Sequence, residues 1–124
     1  MSISTQSNAQ ELEDYKWKNR IILLMNSEDS SFKNQLKLLK GHKKELAERD
    51  IIIFQYSKNQ LLDIDGNTSN INSKTIPYKN HKGVLLIGKD GGVKLKKEFI
   101  TQPNEIFELI DSMPMRRAEM KNDR

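Results

Sequence analysis

The sequence predicts an α/β fold: a central mixed β-sheet flanked by helices, in the order β-α-β and then β-hairpin-α. Three observations carry that expectation. The runs Arg20–Met25, Ile51–Tyr56 and Gly83–Gly88 are apolar almost without interruption, as strands covered on both faces are. Apolar residues at helical spacing separate the first two runs and recur near the end of the chain. An Asp90-Gly91-Gly92 step lies between two strand-like runs, which is one of the stronger local signals for a hairpin.

Taken in order, residues 11–19 are polar, with Leu12, Tyr15 and Trp17 as anchors; the tryptophan is expected to cap the core. Arg20–Met25 is the first strand. Asn26 to Ser30 supplies a turn and helix caps, with acids in the first helical turn. Phe32, Leu36, Leu39 and Leu46 form an apolar stripe that Gly41 interrupts, and Arg49-Asp50 ends it. Ile51–Tyr56 is β-branched and aromatic, a second buried strand. A crossover of this length makes the two strands a parallel, right-handed pair. Ser57 to Lys82 is rich in Asn, Ser, Lys and Asp, with room for a short strand or turn but no long periodicity.

Gly83–Gly88 is the third buried strand, and Val93 to Phe99 returns from it with Lys94, Lys96 and Lys97 on the exposed side. Thr101 or Gln102 caps the next helix, which has Pro103 in its first turn. Ile106, Ile110 and Met113 line one face of that helix, Pro114 breaks or restarts it, and Lys121 to Arg124 frays. This order is the thioredoxin-like arrangement. A ferredoxin-like order would need a strand after the last helix, and Met120 to Arg124 cannot supply one.

Composition narrows the chemistry. The 124 residues suit one domain: a tail or signal-peptide remnant at 1–10, a folded unit at 11–120 and a short frayed end. Ser7-Asn8-Ala9 resembles a signal cleavage region, although no basic or apolar segment precedes it. A periplasmic or secreted location follows if the remnant reading holds, and a cytoplasmic one otherwise. The chain contains no cysteine, so its own side chains offer no disulfide, thiolate metal site or thiol nucleophile. The net charge of +4 is spread among interleaved acids and bases, as in Lys43-Lys44-Glu45, which argues against a nucleic-acid face. No apolar run approaches the roughly 18 residues that span a membrane.

Several motifs fail on inspection. Gly88-Lys89-Asp90-Gly91-Gly92 lies between two strands, whereas a phosphate loop runs from a strand into a helix. Asp63-Ile64-Asp65-Gly66-Asn67 begins like a calcium loop, but Thr68 and Lys74 stand where a glycine and a bidentate glutamate belong. His42 and His81 have no second ligand at a metal spacing and read as surface residues. No cofactor or metal is expected. In Met113-Pro114-Met115-Arg116-Arg117-Ala118-Glu119-Met120, Arg116 reads as the partner of Glu119 three residues on, with an anion or partner contact for Arg116 and Arg117 as the alternative.

Four strings carry a family resemblance: Trp17-Lys18-Asn19-Arg20, Glu48-Arg49-Asp50, the run from Gly88 to Leu95, and the run from Ile110 to Arg116. Together they resemble the peroxiredoxin-like domain of unknown function found in small bacterial proteins and in vertebrate extracellular proteins of the sushi-repeat and equarin type. The resemblance spans Leu12 to Met120. It implies a thioredoxin-like fold and often an exported protein, with no assigned activity. On the wider thioredoxin pattern, Gly83 or Val84 stands at the cis-proline position. The peroxidatic thiol position falls in Ser27-Glu28-Asp29-Ser30. Serine oxygen has no redox ladder comparable to that of a thiolate.

The expected function is therefore a non-catalytic interaction or ligand-binding module with an envelope protein as partner. Its candidate surface is Ser27, Glu28, Asp29, Ser30, Gly83, Arg116 and Arg117. The rival is non-thiol catalysis by Ser30 or Asp29 with Arg116, and a basic surface for nucleic acid or anionic lipid comes third.

Overall fold

The computed structural model describes residues 11–26 and 30–122. Five strands, β1 (Arg20–Met25), β2 (Ile51–Ser57), β3 (Gln60–Asp63), β4 (Gly83–Ile87) and β5 (Val93–Lys97), form one sheet in the order β3-β2-β1-β4-β5. β1 and β2 run parallel, and every other pairing is antiparallel. The helices are α1 (Ser30–Lys40), α2 (Lys43–Glu48), α3 (Pro103–Asp111) and α4 (Pro114–Asn122). This is the expected mixed sheet with flanking helices, a thioredoxin-like α/β fold.

Alternation along the strands builds two cores. Ile21, Leu23 and Met25 of β1 join Phe54, Tyr56, Leu85 and Ile87 on one face, closed by Ile71, Ile76, Leu12 and Tyr15. Ile22 and Leu24 point the other way, to Ile53, Val84 and Leu86, under Leu39, Leu46, Ile106, Phe107 and Ile110 of α1, α2 and α3. A fully buried Gln35 ties α1 to the chain before α3. Its amide donates to the Thr101 carbonyl at 2.9 Å and its oxygen accepts from the Thr101 N–H at 2.7 Å.

Gly41 does divide the helical stripe, between α1 and α2. The Asp90-Gly91 hairpin forms, with Gly91 at φ 86°, a left-handed value that suits glycine. Three expectations change. Trp17 does not cap the core: its φ of 69° turns the ring outward, 63% exposed, and Tyr15 packs edge-on against Phe54 instead. β5 stops at Lys97 rather than Phe99, and Phe99 turns onto Phe32 at a centroid distance of 6.1 Å. Lys121 and Asn122 continue α4 rather than fraying. Among the described residues no helix is long and apolar enough to cross a membrane. The tail or signal remnant at 1–10 lies outside the described residues.

Candidate functional site

The predicted site residues fall at opposite ends of β1, whose six residues span about 17–20 Å. At its carboxyl end, Met25 pairs with Gly83 and α1 starts at Ser30. At its amino end, Arg20 pairs with Ile51, and Arg116 donates to the nearby Glu48 carbonyl at 3.0 Å. The sheet thus separates Ser30 from Arg116, so these two do not come together. Ser27, Glu28 and Asp29 lie outside the described residues.

At the carboxyl end, Gly83 is buried and cannot serve as a contact surface. With φ at 149°, a Cβ there would overlap the Lys97 carbonyl oxygen and stand 2.8 Å from the Glu98 Cα. Only hydrogen fits. The loop before it forms a groove of about 260 Å³ lined by Asn26, Ser57, Lys58, Lys79, Asn80 and Lys82. Asn26 (φ 54°) sets this loop, because its Nδ2 donates to the carbonyls of Lys79 at 2.6 Å and His81 at 2.7 Å. The His81 ring nitrogen Nε2 holds the same loop to the Lys97 carbonyl oxygen at 2.9 Å. Lys79 and Lys82 are exposed; among the described residues they have no side-chain partner and no carboxylate lines the groove.

At the amino end the charges are paired. Arg20, 1% exposed, sends both terminal nitrogens to the Glu119 carboxylate at 3.2 Å. Lys89 bridges Glu119 at 2.7 Å and Asp50 at 2.8 Å. Arg49 grips Asp111 in bidentate fashion at 3.0 and 2.8 Å and stacks on Phe107, 4.7 Å from the ring centre. Arg116, also buried, donates to Asp111 at 3.2 Å and lies 3.5 Å from Glu119. The i,i+3 pairing expected for Arg116 is present. Its guanidinium belongs to this network rather than to an open anion site; Arg117 beside it is exposed.

Burial would raise the Glu119 carboxyl, but hydrogen bonds from Lys89 and Arg20 outweigh it and hold the group below its ordinary value. Asp111 is likewise held down, with Arg49 and Arg116 overcoming burial. The network joins four cations to three carboxylates. Each of the four resemblance strings sends at least one side chain into it: Arg20, then Arg49 and Asp50, then Lys89, then Asp111 and Arg116. Sequence reading missed this assembly because its partners stand up to 99 residues apart. Beside it opens a cleft of about 250 Å³ between Gly88-Lys89-Asp90 with Lys94 on one side and Met113-Pro114-Met115 on the other.

Asp63, first residue of the calcium-like stretch, closes a polar turn, its Oδ1 accepting from the N–H groups of Asp65 and Asn67. Among the described residues no group of three metal-ligating side chains is assembled.

Residues 11–119 match the family described as "Domain of unknown function (DUF4174)". The chain belongs to that family. Its fold is similar to the mitochondrial 2-Cys peroxiredoxin of Plasmodium falciparum, with a TM-score of 0.54 at 19% identity over 82% of this chain and 79% of that one. No curated protein matches the sequence. The peroxiredoxin likeness concerns fold alone.

Proposed function

We propose that this DUF4174 domain is a non-redox binding module that docks an acidic segment of a partner protein at the carboxyl end of β1. The observation that carries this reading is the groove of Lys79, Asn80 and Lys82, which offers cations and amide donors with no carboxylate among its described lining residues. Open α/β sheets characteristically bind ligands beyond the carboxyl ends of their parallel strands, and β1 and β2 end here. The absence of cysteine removes thiol turnover from the same edge, which supports a binding role there.

Titration of the full chain with a hexaglutamate peptide tests the proposal. Binding should shift the amides of Asn26 and residues 79–82 and weaken as salt rises. The double variant Lys79→Gln/Lys82→Gln should lose at least about tenfold in affinity with an unchanged unfolding midpoint. Equal binding by the double variant would refute the groove. Peroxide consumption by the purified chain would refute the non-redox assignment.

A further inference from the structure

The helices that cover Ile22, Leu24, Ile53 and Leu86 carry their charge unevenly. Residues 30–44, which are α1, the Gly41-His42 turn and the start of α2, hold five lysines and no acid. Five of the chain's 21 basic residues thus fall in this stretch and none of its 17 acids, which leaves 16 bases against 17 acids everywhere else. The whole positive excess of the protein sits here, and the interleaving seen at Lys43-Lys44-Glu45 does not extend along α1. We propose that α1 docks an acidic helix of a partner protein, one that presents carboxylates at i, i+4 and i+7 along a single face. This surface is separate from the groove of Lys79 and Lys82 and does not rest on it.

Periodicity supplies the match. At about 100° per residue, Lys33, Lys37 and Lys40 lie within an arc of about 60°, opposite the buried Gln35 and Leu39. Their successive separations along the axis are about 6 and 4.5 Å. All three are exposed, and among the described residues neither they nor Lys43 and Lys44 have a side-chain partner. The helix dipole favours Lys40 at the carboxyl end of α1, but Lys33 closes the first turn, where the dipole opposes a cation. Lys33 and Lys37 also repel one another at i,i+4. Helix stability therefore does not account for the stripe, and solubility accounts for exposed charge but not for its segregation. The neighbouring helix narrows the occupant. α3 packs on the same core, is tied to α1 through Gln35 and Thr101, and carries Glu105, Glu108 and Asp111 with no base. Glu105 and Glu108 are exposed. A broad anionic surface, such as a bilayer or a nucleic-acid duplex, would meet those glutamates as it approached the lysines. A single helix laid along α1 meets the lysines alone, and its rise of about 1.5 Å per residue reproduces their spacing.

The test titrates the full chain with an alanine-based peptide of about 20 residues, long enough to form a helix in water, that carries glutamates at i, i+4 and i+7. Amide shifts should fall on residues 33–44, saturate, and fade as salt rises. The same peptide with its three glutamates on three different faces should bind at least about tenfold more weakly. Lys33→Gln/Lys37→Gln/Lys40→Gln should weaken the striped peptide at least about tenfold with no fall in the unfolding midpoint. Lys79→Gln/Lys82→Gln should leave that peptide's affinity unchanged. Equal binding by the triple variant, shifts confined to residues 79–82, or no saturable shift would overturn the α1 site and leave the groove reading standing. Equal affinity for the two peptides would overturn the helix as occupant. So would tighter binding through residues 33–44 by phosphatidylserine–phosphatidylcholine vesicles or a short DNA duplex.

Discussion

The two ends of β1 carry similar numbers of basic side chains and use them in opposite ways. At the amino end, Arg20, Lys89 and Arg116 are buried, and each meets a carboxylate, Arg20 and Lys89 one from a distant part of the chain and Arg116 the nearby Asp111. At the carboxyl end, Lys79 and Lys82 stand in solvent without a side-chain partner among the described residues. The difference follows from desolvation. A buried cation must be paired or it destabilises the fold by several kcal/mol, whereas an exposed one costs almost nothing to leave open. Charge at one end is committed to closing the structure, and charge at the other remains available to a partner.

The strongest way to break this contrast is to remove the carboxylate shared by three cations. Glu119→Ala should cost about 3 kcal/mol or more in urea unfolding, because it leaves the buried Arg20 without a carboxylate and Lys89 with Asp50 alone. A loss below about 0.5 kcal/mol would show that α4 is held by something other than this cluster. At the other end, Gly83→Ala should cost about 1–3 kcal/mol, since the new methyl group meets backbone that cannot swing aside. A neutral result there would mean that β5 and the groove loop yield more easily than their hydrogen bonds suggest.

Acid titration sharpens the comparison further. Asp111 and Glu119 have folded-state pKa values below their ordinary ones. Their contribution to stability is complete above the unfolded-state values, about 3.9 and 4.3, and disappears as pH falls through the lower folded values. Wild-type stability should therefore drop below about pH 4, and Asp111→Asn/Glu119→Gln should flatten that limb. A wild-type profile level down to about pH 2 would remove the cluster from the energetics.

The strands were legible because β1 and β4 are buried on both faces and so read as unbroken apolar runs. β3 was not, since only Leu61 of its four residues is buried. The hairpin was visible in Asp90-Gly91, whose backbone demand is local. Of the amino-end cluster, only Arg116 with Glu119 was visible, because i,i+3 is the one spacing in it that a helix makes obligatory. Arg20 with Glu119 and Lys89 with Asp50 depend on strand order, and no local pattern encodes that. The same limit joined Arg116 to Ser30 as one surface, when the length of β1 holds them apart. The four resemblance strings meet at the paired end, so what makes the family recognisable in this chain is largely the closure of its fold.

Trp17 has a practical consequence at the bench. It is the only tryptophan, its ring is in solvent, and its backbone N–H donates to the Lys89 carbonyl at 2.6 Å. Its emission should change little when the two cores melt, so tryptophan fluorescence would under-report unfolding that circular dichroism detects.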